Sequence, residues 1–286
     1  MKIIFWGSSG FAVPILKSLV KAGFEVKLAI TQPDASKGRF LRLEAPPAAK
    51  TAKELGLPLY QPEQLKNDEV IEKLKEADAS VHVVAAYGKL IPESLLTLPK
   101  FGMVNVHPSL LPKYRGPSPI QSVILNGEQE TGVSLMVLDK EMDHGSLLAQ
   151  KAIPLARNIT TPELEQILSN LSAEFLVEIL PRYLVGKIKP QEQDHAQTTF
   201  CKMLKKEDGK INWDEPAEII ERKIRALQPW PGTYTFYKEN GQEQLLKIIK
   251  AIVIDGKLKL EIVQPAGKKP MTFEDFLRGH PGFVFK

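Results

Sequence analysis

The chain has 286 residues, 43% of them hydrophobic and 25% charged, one cysteine and a formal net charge of +4. That balance is ordinary for a globular protein of one or two domains, and it excludes disordered, fibrous and disulfide-stapled classes. Cys201 alone cannot form an internal disulfide and fits a reducing compartment. The apolar run 3–6 breaks at Gly7, far short of a secretory signal, and no stretch is long enough to span a membrane. A cytoplasmic location with no membrane partner is therefore expected.

Residues 2–5 read as a buried strand, and residues 11–22 carry helical periodicity that stops at Gly23. The glycine turn GSSG at 7–10 lacks the Gly-x-Gly-x-x-Gly spacing, and no acidic residue clearly ends the next strand, 25–30. A tight strand-to-helix turn is expected there rather than a dinucleotide site. The loop 31–45 carries Lys37, Arg39 and Arg42 among small residues. Then come a helix over 70–77, strands over 81–85 and 103–106, a helix over 119–125 and strands over 132–138 and 147–153. Thr161, Pro162 and Glu163 open a long helix running towards Tyr183, with proline in its first turn. Alternating strands and helices predict an α/β fold built on a Rossmann-like, mainly parallel sheet.

The pattern fades into polar residues over 187–203, which reads as a linker between a first domain, 1–186, and a second, 204–286. The second domain shows a helix over 216–227, the breaker QPWPG at 228–232, and strands over 234–237, 245–253 and 258–263. Charge divides at the same place. Residues 1–201 hold 22 basic and 22 acidic residues, whereas residues 202–286 hold 16 and 12. A basic C-terminal third fits an anionic partner, and equally a solvated lysine-rich surface.

The most informative segment is NVHPSLLPKYRG at 105–116, followed by MDHG at 142–145. Period-2 alternation puts Asn105 and His107 on one face of a strand. Pro108 cannot donate to a sheet ladder, so the strand should end there and leave His107 at its C-terminal lip, where open parallel sheets bind ligands. Asp143 adds a carboxylate. An imidazole, an amide and a carboxylate suit reaction at a carbonyl carbon, where they can stabilise an oxyanion, hold a nucleophile and move protons. The five histidines are scattered, so no metal site is expected.

This run resembles the signature of the folate-dependent formyltransferases. The resemblance begins at IIFWG over 3–7 and continues through TQPD at 31–34, AAYG at 85–88, residues 105–121 and MDHG. It extends through INW at 211–213, IRA at 224–226, PWP at 229–231 and QPAGKK at 264–269. It covers nearly the whole chain, and the pieces after residue 200 point to the branch of the family that acts on tRNA.

The resemblance implies a formyltransferase fold with a small C-terminal OB-like barrel. It implies formyl transfer from 10-formyltetrahydrofolate to the α-amine of initiator methionyl-tRNA, for translation initiation. Asn105, His107 and Asp143 would be catalytic. Ser109, Leu110, Leu111, Pro112, Ala86, Tyr87, Gly88 and Ile91 would line the folate site, with Asp139 in a loop that closes over it. Lys37, Arg39, Arg42, Lys268 and Lys269 would contact tRNA. Arg115 could pair with a substrate phosphate or the folate tail, or brace its own loop. The stretch from Leu245 onward is shorter than the family usually has: between residues 249–251 and 264–266 there is room for roughly two strands of ~5–6 residues each, so a shortened barrel is expected. The protein is expected to act as a monomer. Two other readings fit parts of the pattern: a formyltransferase acting on a sugar-nucleotide or other small amine, and a non-catalytic RNA-binding protein of the same fold.

Overall fold

The computed structural model describes residues 1–37, 42–239, 241–281 and 283. Arg39 and the side chains of Lys37 and Arg42 therefore lie outside the described residues. In chain order the chain forms β1 (Lys2–Gly7), α1 (Ala12–Lys21), β2 (Glu25–Ile30), β3 (Ala35–Lys37), β4 (Arg42–Glu44), α2 (Pro47–Glu54), β5 (Leu59–Tyr60) and α3 (Asp68–Glu76). There follow β6 (Val81–Ala85), α4 (Glu93–Leu96), β7 (Met103–His107), α5 (Pro119–Leu125), β8 (Glu130–Val137), β9 (Leu147–Pro154) and α6 (Thr161–Leu184). The last part holds α7 (Ala217–Ala226), β10 (Thr233–Glu239), β11 (Gln242–Ile254), β12 (Lys257–Pro265), β13 (Met271–Thr272) and α8 (Phe273–Gly279).

Two compact units result. The first comprises Met1–Pro117, Thr131–Ile153 and Glu165–Phe200; the second comprises Ser118–Glu130, Pro154–Leu164 and Cys201–Lys286. The first is built on a seven-stranded sheet in the order β5-β2-β1-β6-β7-β8-β9. The pairs among β5, β2, β1, β6 and β7 are parallel, and β8 joins β7 antiparallel. Central strand β1 has both neighbours in place, and Ile3, Ile4, Phe5 and Trp6 are all fully buried, as a strand covered on both faces requires. In α1 the buried residues Ala12, Ile15, Leu16 and Leu19 recur at the helical spacing that puts them on one face. Gly7 follows from close packing: a Cβ there would lie 2.8 Å from the Ala12 Cβ, the Ala85 carbonyl oxygen and the Phe5 ring. The tight turn expected at GSSG is what the structure shows.

Because these strands run parallel, their C-terminal ends share one edge. Ser8 ties it together: its backbone N–H donates to the Ala86 carbonyl, its hydroxyl donates to the Tyr87 carbonyl at 3.1 Å, and the Gln32 N–H donates to that hydroxyl at 3.0 Å.

His82 on β6 is 1% exposed, and its Nδ1 has no hydrogen-bond partner among the described residues. Burial pushes its pKa down from 6.5 to about 4. The folded state therefore holds this ring neutral, while the unfolded chain takes up a proton as the pH falls through 6.5. Stability is complete above about pH 6.5 and declines as the pH falls towards 4. On this account, urea unfolding should show a loss of about 2 kcal/mol from this group between pH 7 and pH 5. His82→Leu should remove that component of the slope. An unchanged slope in the variant would refute the assignment.

The second unit holds an antiparallel sheet in the order β10-β11-β12-β13. Ile220 and Ile224 of α7 pack with Tyr237, Leu246, Ile248 and Phe276 as its core. In α8 the Thr272 hydroxyl accepts from the Asp275 N–H at 3.1 Å, which caps the helix. The OB-like barrel expected here is a four-stranded sheet; among the described residues no pairing closes it. The two strands expected between residues 249 and 266 are the second half of β11 and β12, and β11 is longer than the strand read from the sequence, spanning 13 residues. No described helix is long and apolar enough to cross a membrane.

Candidate active site

Strand β7 runs one residue further than expected and carries His107 at its end. Asn105, two residues back on the same face, pairs with Val84 of β6 and Met136 of β8. It is half-buried, and its amide makes no hydrogen bond among the described residues. His107 is 4% exposed. Its Nε2 lies 3.0 Å from the Tyr114 carbonyl oxygen, and its Nδ1 lies 3.6 Å from Asp143 Oδ1. Both ring nitrogens thus face oxygens, Nε2 within hydrogen-bond distance and Nδ1 just beyond it. Asp143 uses its other oxygen to accept from the Gly116 N–H at 2.8 Å. The loop between β8 and β9 therefore returns Asp143 to the end of β7, and the three residues singled out in the sequence converge at one strand edge.

The run 109–112 is strapped against β8. The Ser109 hydroxyl donates to the Lys113 carbonyl at 2.7 Å, and Ser134 donates to the Ser109 carbonyl at 2.6 Å. The Leu111 N–H donates to Ser134 Oγ, and its carbonyl accepts from Gln150 Nε2 at 2.7 Å. Leu110 lies over Gly132, where a Cβ would lie 2.6 Å from its methyl. Pro112 accepts from the Thr199 N–H. Ser134 and Gln150 were not singled out from the sequence; nothing in their spacing sets them apart from other strand polar residues.

Ala86 and Gly88 both have positive φ, 45° and 81°, and turn the chain sharply at the end of β6. Between them Tyr87 is 2% exposed and stands edge-on to Trp6 at 5.2 Å. Burial pushes its phenol up to about 12, and the hydroxyl has no partner among the described residues. Its side chain is thus core, and the Ala86–Gly88 turn reaches the edge through its backbone. Ile91 lines a cleft of about 600 Å³ with Leu65, Ile71, Leu90, Lys66 and Lys140. Asp139, next to Lys140, accepts from the Glu141 N–H at 2.9 Å and pairs with His144 at 2.6 Å.

Arg115 is 4% exposed. Its guanidinium donates to Gln193 Oε1 from Nε at 3.1 Å and from Nη2 at 2.6 Å, and Nη2 lies 2.9 Å from His195 Nδ1. It braces its loop, one of the two roles left open for it. The stretch read as a linker contributes here: Gln191 pairs with Leu147, Gln193 is buried, and Phe200 pairs with Arg115. Lys268 and Lys269 are exposed on the turn after β12, where Gly267 has φ 72°.

The Formyl transferase family model matches residues 1–180, and the model of its C-terminal domain matches residues 203–259. A methionyl-tRNA formyltransferase from Chloroflexus aurantiacus is 43% identical, covering 98% of this chain and 97% of that protein. One from Thermodesulfovibrio yellowstonii is 40% identical, covering 97% and 95%. Among solved structures, a methionyl-tRNA formyltransferase from Clostridium thermocellum superposes with a TM-score of 0.62 at 18% identity, covering 93% of this chain and 98% of that one. An N-formyltransferase from Helicobacter canadensis, in complex with folinic acid and dTDP-3-aminofucose, gives 0.65 at 19% identity over 95% and 98%. These two share the fold. With a family model across the first 180 residues and relatives of at least 40% identity along nearly both lengths, the chain belongs to the methionyl-tRNA formyltransferase family.

Proposed function

We propose that the chain transfers the formyl group of 10-formyltetrahydrofolate to the α-amine of methionine esterified to initiator tRNA, in the cytoplasm. The observation that carries this reading is the 43% identity along nearly the whole length of a methionyl-tRNA formyltransferase. The folate supplies an activated formyl carbon on N10; the rest is the work of this chain's residues. Asn105 holds the amine and donates to the formyl oxygen. His107, set between Asp143 and the Tyr114 carbonyl, stabilises the negative charge that builds on that oxygen. Asp143 orients the ring and helps remove one amine proton as the new N–C bond forms, and a proton returns to N10 as the C–N10 bond breaks. For the benzoyl ring of the folate arm we propose the apolar wall of the cleft beside Ile91, formed by Leu65, Leu90 and Ile91; the cleft's charges are mixed, Lys66 and Lys140 against Asp68 and Glu93.

For tRNA we propose Lys268 and Lys269, together with Lys37, Arg39 and Arg42. Each neutralised phosphate releases counterions, so affinity should fall with salt. If about four phosphates are neutralised, raising salt fourfold should weaken Met-tRNA binding by about 10²-fold. Fluorescence titrations at 50 and 200 mM salt measure this. Salt-independent binding would exclude tRNA as the partner and favour a small amine substrate.

A further inference from the structure

Gln193 lies in the polar stretch after α6, is 4% exposed, and sits between Arg115 and the loop that carries Asp143. Its Nε2 donates to two backbone carbonyls, those of Asp143 at 2.9 Å and Gly145 at 2.8 Å. Its Oε1 accepts from Arg115 Nε and Nη2. A primary amide has two N–H donors and one oxygen with two lone pairs, and all four capacities are used. The orientation is forced, because a guanidinium offers only donors and the two carbonyls offer only acceptors.

Asp143 needs such a fixture. Its φ is 50°, in the left-handed region that non-glycine residues rarely occupy, so its backbone holds this shape only where neighbours impose it. Its carboxylate is shared between His107 and the Gly116 N–H. Arg115, the residue before Gly116, is held by the same Gln193 oxygen. One side chain thus fixes both segments that determine where the Asp143 carboxylate sits.

We infer that Gln193 is a positioning residue for formyl transfer, acting through Asp143 by clamping its loop to Arg115. This rests on the proposed role of Asp143. Gln193→Glu separates the clamp from simple anchoring of Arg115. The carboxylate keeps both Arg115 contacts and makes them charge-assisted, but turns an oxygen without a proton towards the two carbonyls. If Gln193 served only to anchor Arg115, the variant would be wild-type or more stable with unchanged kcat. A positioning role makes kcat fall at least about 10-fold while KM for Met-tRNA stays within about twofold, because a misplacement near 1 Å in a catalytic site costs turnover.

The experiment is a double-mutant cycle on the full chain: wild type, Gln193→Glu, Asp143→Ala and the pair, with steady-state kinetics and thermal unfolding of each. The expected result is loss in each single variant and no further loss when Gln193→Glu is added to Asp143→Ala. Wild-type kcat in Gln193→Glu, or losses that multiply in the pair, would overturn the inference while leaving Asp143 in its role. Wild-type kcat in Asp143→Ala would overturn the underlying reading, and the inference with it. Should Gln193→Glu not fold, Gln193→Met takes its place in the same cycle: it keeps the length and removes both donors without adding charge.

Discussion

His107→Ala should lower kcat by about 10²-fold or more, the scale of a lost oxyanion or acid–base group. The ring stands at the end of β7 between the Tyr114 carbonyl and the Asp143 carboxylate, so removing it takes away both the imidazole and the group that faces Asp143. The hydrogen bond between Nε2 and the Tyr114 carbonyl is lost as well, which on its own lowers stability by about 1 kcal/mol. Turnover must therefore be compared at a temperature where circular dichroism shows the variant folded. Met-tRNA affinity should be unchanged, because the buried ring is remote from the proposed phosphate contacts in sequence and role. Combining the change with Asp143→Ala should cost little more than His107→Ala alone, since the two act as one unit. Near-wild-type kcat in folded His107→Ala would remove the imidazole from the chemistry.

Gly145→Ala should reduce kcat by about 10²-fold in protein that is still folded. A Cβ at this position would collide with the Val137 carbonyl oxygen, a backbone atom at the end of β8, and would also lie 3.2 Å from the Asp139 N–H nitrogen. The Val137 carbonyl cannot give way without moving the end of β8, so the loop must move instead. Asp143 lies two residues away, and a displacement of about 1 Å can cost that factor in rate. The overpacking itself should cost about 1–3 kcal/mol. Kinetics with a thermal melt measure both. Wild-type turnover would mean that the loop absorbs the methyl without carrying Asp143 along.

The first unit was largely readable from local pattern. The apolar runs of β1 and β6, the i, i+3, i+4, i+7 spacing in α1 and the proline after His107 each dictate an element directly, and the parallel order brings their ends together. Asn105 and His107 were legible because two residues apart on a strand means one face. Helix α2 was missed because its buried face is made of Ala48, Ala49 and Ala52, which carry little hydrophobic contrast. Strand β5 is two residues long and has no period to read. Helix α8 did carry a signal, Thr272 three residues before Asp275, in the pattern of a capped helix start. Gln193 carried none: an amide in a polar stretch acquires its role only when the fold brings Arg115, 78 residues earlier, against it. Tyr87 shows the converse, since its motif position was recognisable but burial against Trp6 makes its side chain core.

The decisive experiment is a formylation assay with purified protein and 10-formyltetrahydrofolate labelled on the formyl carbon. The acceptors are charged initiator methionyl-tRNA, charged elongator methionyl-tRNA and a sugar-nucleotide amine. Label should appear on the methionine α-nitrogen of the initiator tRNA, with a kcat/KM far above that for the sugar amine, and this transfer should be lost in His107→Ala. Label moving preferentially to the sugar-nucleotide amine, or no transfer to any amine by folded wild-type protein, would contradict the proposed function.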